Sequence, residues 1–148
     1  MLKTETPVSR FLALYARETA EDNLPAVVSH FVETFLHAGP TGAQPIRASD
    51  FAAVLPKRKA LFDQLGSQPT ELTAIEEMPL DSRYILARTT WHFSFQPGHT
   101  APQQFDTEST FLIDTGVPGT PASDFKFLLY LPHHDIMQML CDRGILQA

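Results

Sequence analysis

The chain has a single cysteine, Cys141, so no disulfide can brace it from within. Its uninterrupted apolar runs, such as residues 127–131, are far too short to cross a bilayer as a helix. A spanning role is excluded, and the opening MLKTETPVSR lacks the apolar core of a signal peptide, which leads to the expectation of a cytoplasmic protein. Basic residues are scarce. With a formal net charge of -6 and one basic cluster, Lys57, Arg58 and Lys59, the sequence argues against binding a phosphate backbone. That cluster reads as a solvated helix face. No HExxH or paired Cys/His ligand spacing occurs, so no metal is expected, and the absence of a Gly-rich phosphate loop gives no support to a nucleotide cofactor. No Ser/His/Asp or Cys/His nucleophile pattern stands out, and there is no internal repeat.

What the chain does have is apolar bulk: 148 residues, 43% of them hydrophobic, suit one domain, 1–148, with a core that needs no staple. The most telling stretch is YILARTTWHFSFQ, residues 84–96, which holds no Gly or Pro. In an extended chain it puts Ile85, Ala87, Trp91, Phe93 and Phe95 on one side, and at ~3.3 Å per residue it runs roughly 40 Å, about twice the usual strand. A sheet holding such a strand should curve, and its concave face either fills with core or leaves an apolar pocket.

Upstream the period is helical. Thr6 before Pro7 resembles an N-cap and first position, and Val8, Phe11, Leu12 and Tyr15 follow at helical spacing, which predicts a helix over residues 7–20. Asn23 caps a second helix whose buried stripe is Val27, Val28 and Phe31. Residues 33–37 suit helix or strand, with a short strand preferred, and 39–45 form a loop. Ser49 and Asp50 cap a third helix that ends at Gly66, with a kink or break expected near Leu55 because Pro56 lacks an amide and crowds the preceding turn. The period then changes to two. Residues 70–78, 84–96, 104–114 and 125–131 read as four strands of an antiparallel meander. The last connection, TGVPGTPASD, is long enough to move or to cover something, and residues 133–146 look like a short terminal helix.

Helices followed by strands is the α+β order, with helices packed on one face of a sheet. The segments ALYARETAEDNLPAVVSHF and SDFAAVLPKRKALFDQLG, with the strand run ending FKFLLYL, resemble the nuclear transport factor 2-like, or SnoaL-like, superfamily. The resemblance covers nearly the whole chain and rests on element order and hydrophobic pattern. It implies a cystatin-like cone, a curved antiparallel sheet with mixed edges closed by three N-terminal helices and a short C-terminal one, often dimeric through the sheet. Proteins of this kind include isomerases, cyclases, dehydratases and binding modules, so fold leaves function open.

The resemblance also suggests roles. In the ketosteroid isomerase branch a helix-one tyrosine donates to the developing oxyanion, and counting back from Phe31 places it at Tyr15. The branch's general base, an Asp directly before a Pro at the end of the first strand, falls on Gly39 before Pro40, and glycine moves no proton. The acid sharing the oxyanion falls near Ser109.

From the residues themselves, His37 lies just before that corner and could act as a base at the mouth of the cone. His92 should face outward, His133 or His134 contributes to the start of the terminal helix, and Cys141 reads as a buried inert thiol. Asp106 and Glu108 share the outer face of their strand, beside Arg88, unless a bulge flips the parity. The inner face carries Trp91, Phe93, Phe95, Phe111 and Phe127, either as solid core or as the wall of a ligand pocket. In the second case Tyr15, Trp91, Thr107 or Ser109 would orient the ligand.

Three expectations follow. The first is a binding protein for a small apolar or aromatic molecule, forming a homodimer through the sheet. The second is a SnoaL-like enzyme of isomerase, cyclase or dehydratase type, with Tyr15 as donor and His37 as base, which requires both side chains in one cavity. The third is an interaction module whose outer face, Tyr84, Leu86, Arg88, Thr90 and His92, forms a dimer surface.

Overall fold

A computed structural model describes residues 5–98 and 101–146. The first helix, α1 (Pro7–Ala20), begins where Thr6 leaves the helix in extended conformation and its hydroxyl accepts from the Ser9 amide at 2.9 Å. The Ser9 hydroxyl accepts in return from the Thr6 amide at 2.7 Å, so two amides that the helix leaves unpaired are satisfied. Its buried stripe is Val8, Phe11, Leu12 and Tyr15. A second helix, α2 (Leu24–Ser29), is only six residues long and is capped by Asn23, whose side chain accepts from the Ala26 amide. Phe31 does not belong to it. That residue opens the first strand instead, since α2 ends at Ser29 and His30 turns the chain.

Strand β1 (Phe31–Gly39) is followed by β2 (Gly42–Arg47) in a tight antiparallel hairpin turning at Pro40 and Thr41. The expected loop over 39–45 is therefore mostly strand. Pro45 is tolerated in β2 because that strand is the edge of the sheet and needs no amide on its open side. The chain then enters α3 (Ala48–Gln64) directly. Arg47 occupies the cap position without a side-chain bond, while Asp50 lies in the first turn, where a carboxylate suits the helix dipole; neither Ser49 nor Asp50 is the cap. The helix runs without interruption through Pro56, in place of two pieces. Leu65 caps its end, and Gly66 follows with φ +74; a Cβ there would collide with the Gln96 carbonyl, so the position demands glycine.

Strands β3 (Glu71–Pro79), β4 (Tyr84–Phe95), β5 (Gln103–Asp114) and β6 (Lys126–Pro132) form the expected antiparallel meander. β6 then lies parallel to β1, giving one six-stranded mixed sheet in the order β2-β1-β6-β5-β4-β3. Helices α1 and α2 precede the sheet, whereas α3 interrupts it after the hairpin, so the order is not three helices and then strands. Register shifts between Leu72 and Ala74, Leu112 and Ile113, and Phe31 and Leu36 bend the strands and curve the sheet. The long connection after β5 carries a single 3-10 turn, Ala122–Asp124, and lays the buried Phe125 against Phe11 of α1, with ring centres 5.7 Å apart. The terminal helix, α4 (Ile136–Asp142), is shorter than 133–146; Asp135 caps it, and Cys141 is half-buried instead of buried.

β4 and β5 pair residue for residue, from Tyr84 opposite Asp114 to Phe95 opposite Gln103. Alternation does the rest. Ala87, Thr89, Trp91, Phe93 and Phe95 of β4 and Phe105, Thr107, Ser109, Phe111 and Ile113 of β5 are all buried against the helices. On the other face Arg88 reaches Glu108 through two hydrogen bonds of 2.9 and 3.0 Å, and His92 meets Asp106 at 2.8 Å.

Candidate functional site: a cavity between the curved sheet and helix α3

The concave face is only partly filled. Phe127 and Phe95 are fully buried core and stand outside the cavity wall, Phe127 among Phe11, Tyr15, Phe31 and Phe111, and Phe95 against Phe62, Phe93 and Phe105. Between them and α3 lies a cavity of about 810 Å³. Trp91, Phe93, Phe111 and Tyr130 form its sheet side, and Phe51, Leu55 and Phe62 its helix side. Exposed Thr41, Asp50 and Val54 mark the rim. This volume lies in the range of small-molecule sites.

Tyr15, His37, Thr107 and Ser109 all line this cavity. Tyr15 is held by edge-on contacts with Trp91, Phe111 and Phe127, at ring distances of 6.0, 5.8 and 4.9 Å. It is 7% exposed, Thr107 8% and Ser109 6%, and none of their three hydroxyls bonds to any described residue. No buried polar side-chain atom is sealed off without a partner among the described residues, so these hydroxyls open onto the cavity. Trp91 differs. Its indole N–H donates to Thr89 Oγ1 at 2.7 Å, and Thr89 in turn donates to the Ser109 carbonyl at 2.8 Å, so Trp91 offers the cavity a ring face and no free donor.

His37 stands on β1 beside Tyr130 of β6, with ring centres 5.5 Å apart at 82°. Burial lowers its pKa from the ordinary histidine value, and the positive charge of Arg58 lowers it further. The imidazole is therefore neutral at neutral pH. Burial drives the Tyr15 phenol well above the ordinary tyrosine range, with Tyr130 adding to the shift and Arg58 opposing it. It remains a proton donor throughout the physiological range.

The sequence reasoning missed Tyr130 and Arg58. Counting by twos from Phe127 turns Tyr130 outward, but the register shift opposite Leu112 and Ile113 puts Phe127 and Tyr130 on one face. Tyr130 then stacks on Phe111, 5.1 Å apart and within 4° of parallel. Arg58 is not on a solvated face. Its guanidinium lies over the Phe62 ring, 4.8 Å from the centre, and lines the cavity. Neighbouring Lys59 also lines it but is engaged by Asp63 at 2.6 Å and Asp22 at 3.8 Å. Among the described residues no group of three His, Cys, Asp or Glu side chains could hold a metal, and no helix is long and apolar enough to cross a membrane.

No protein-family model matches the chain, and a search of curated proteins found no match in sequence. Solved structures do match. An NTF-2 like protein of unknown function from Shewanella oneidensis MR-1 superposes with a TM-score of 0.65 at 11% identity, covering 86% of this chain and 97% of that one. The fold is that of the nuclear transport factor 2-like proteins. A ketosteroid isomerase-like protein from Erwinia carotovora atroseptica SCRI1043 shares this fold at a TM-score of 0.61 and 13% identity over 85% of this chain and 92% of its own. So does the beta subunit of the benzoate 1,2-dioxygenase from Burkholderia mallei ATCC 23344, with a TM-score of 0.64 and 11% identity over 94% and 96%. Identities this low speak for the NTF2-like fold alone.

Proposed function

We propose that this chain is an enzyme of the SnoaL-like kind, moving a proton on a small apolar ring or carbonyl compound held in the cavity. The observation that carries the reading is that Tyr15 and His37, from different elements, open on the same cavity. A proton on a carbon beside a carbonyl passes to the neutral His37 imidazole. The C–H electrons move to the carbonyl oxygen, where the Tyr15 hydroxyl donates to the developing oxyanion. In a β,γ-unsaturated carbonyl compound, returning the proton from His37 to the γ-carbon of the dienolate shifts the double bond into conjugation and completes an isomerisation.

The glycine at the end of β1 supports His37 in this role. The resemblance places an Asp base at position 39, and here a side chain starting from Gly39 would begin 3.7 Å from the His37 ring carbon Cε1. The imidazole thus stands next to the missing carboxylate. The fold shared with a ketosteroid isomerase-like protein agrees with this chemistry. The test uses 2-tetralone in deuterated water, following loss of its C1 protons by NMR. The wild type is expected to accelerate exchange above buffer, and His37→Gln to lower the enzymatic rate about 10²-fold or more. An unchanged rate in His37→Gln, or no acceleration by the wild type, overturns the reading.

A further inference from the structure

The cavity contains one cation without an anion. Arg58 makes no ion pair or hydrogen bond with any described residue, whereas Lys59 is engaged by Asp63 and Asp22, and Glu108, on the outer face of its strand, is engaged by Arg88. Asp50 is the remaining wall carboxylate on α3, but it lies eight residues, roughly 12 Å of helix, from Arg58. Asp135 sits at the α4 end, where its side chain accepts from the Gln138 amide. Arg58 is partly buried, and a cation drawn partly out of water gains from an anionic partner.

We propose that the cavity selects ligands carrying one carboxylate next to an apolar or aromatic ring, with Arg58 taking the carboxylate. The guanidinium carbon lies 4.8 Å from the Phe62 ring centre and the group bonds to no described residue, so its donors are free for the two parallel hydrogen bonds that a carboxylate matches. Arg58, Tyr15 and His37 line the same cavity, so an acid anchored at Arg58 shares that space with both. The ring of such a ligand meets Trp91 and Phe111, and the unpartnered hydroxyls of Tyr15, Thr107 and Ser109, residues more than nine-tenths buried, supply the remaining polar contacts. One free cation among several carboxylates suits a monoanion and not a phosphate dianion.

The inference rests on the cavity being the ligand site, as in the proposed function, but not on the reaction. It is tested with a matched pair of probes, 3-phenylpropionate and its neutral amide 3-phenylpropionamide, titrated against the fluorescence of Trp91, the chain's one tryptophan. A charge-assisted pair predicts that the wild type binds the carboxylate about tenfold to a hundredfold more tightly than the amide. Arg58→Gln should erase that preference with the amide affinity unchanged, and Arg58→Lys, which retains charge without the fork, should keep part of it. Urea unfolding of each variant checks that the fold is intact. Equal binding of both probes by the wild type, a preference that survives in folded Arg58→Gln, or no binding of either probe each overturns the proposal. Carboxylate selectivity without exchange on 2-tetralone retains this inference and sinks the proton transfer. Exchange that depends on His37 with no charge preference does the reverse.

Discussion

Replacing Tyr15 by Phe separates what the hydroxyl does from what the ring does. The ring is packed edge-on against His30, Phe31, Trp91, Phe111 and Phe127 and is core in every sense. The hydroxyl bonds to no described residue. Tyr15→Phe therefore loses no protein hydrogen bond and keeps all five ring contacts, so stability should change by less than about 1 kcal/mol. At this chain length that is a melting shift of roughly 4 °C or less. Removing the ring is another matter. Tyr15→Ala should cost about 3–5 kcal/mol through the void and the lost aromatic pairs, a large share of the usual total stability. The informative variant is therefore Phe, read by urea unfolding alongside proton exchange on 2-tetralone. The reasoning expects near-wild-type unfolding with exchange reduced about 10²-fold or more, the usual scale for deleting one oxyanion donor. A loss of more than about 2 kcal/mol would mean that the hydroxyl has a structural partner, and unchanged exchange would mean that it has no part in the reaction.

Other perturbations probe the walls. Thr89→Val deprives the Trp91 indole of its acceptor in a fully buried position and should cost about 1–3 kcal/mol in urea unfolding, with unchanged stability counting against the Trp91–Thr89 bond. Pro56→Ala restores an amide that can reach the Ala52 carbonyl inside α3 and should gain at least about 1 kcal/mol; a loss would show that the helix needs the proline's shape. The exchange reaction needs neutral His37, whose pKa is lowered, so the rate should be flat from about pH 7 to 10 and fall only in acid, with a midpoint below the ordinary histidine value of about 6.5. Removing the opposing charge with Arg58→Gln should move that midpoint upward. A rate that falls between pH 7 and 10 would contradict the raised pKa of Tyr15.

Much of this was legible in the chain because β4 and β5 are regular. Strict alternation over twelve paired residues let Trp91, Phe93, Phe111, Thr107 and Ser109 be assigned to the inner face by counting, and Asp106 and Glu108 to the outer. Counting failed where regularity did. The shift near Ile113 turns Tyr130 inward against its apparent parity, and Pro45 hides β2 because a proline disfavours a strand only when both edges are paired. The spacing of Phe31 from Val27 and Val28 fits a helix, although α2 stops two residues earlier. Arg58 was hidden by its neighbours: three consecutive cations resemble a wet surface, and only tertiary packing shows that the middle one turns over Phe62. The Phe95 and Phe127 rings share the parity of the cavity wall, yet the helices cover them completely.

The most direct measurement concerns whether a small ring enters this cavity at all. With one tryptophan in the chain, a ¹⁵N-labelled sample gives a single indole N–H resonance, that of Trp91, which lies in the wall and is tied to Thr89. Titration with 2-tetralone should move this resonance saturably, and Ser109→Phe, which fills the space beside it, should abolish the shift while the protein remains folded. An indole resonance indifferent to 2-tetralone in the wild type, or a shift that persists in Ser109→Phe, would contradict the assignment of the cavity as the site.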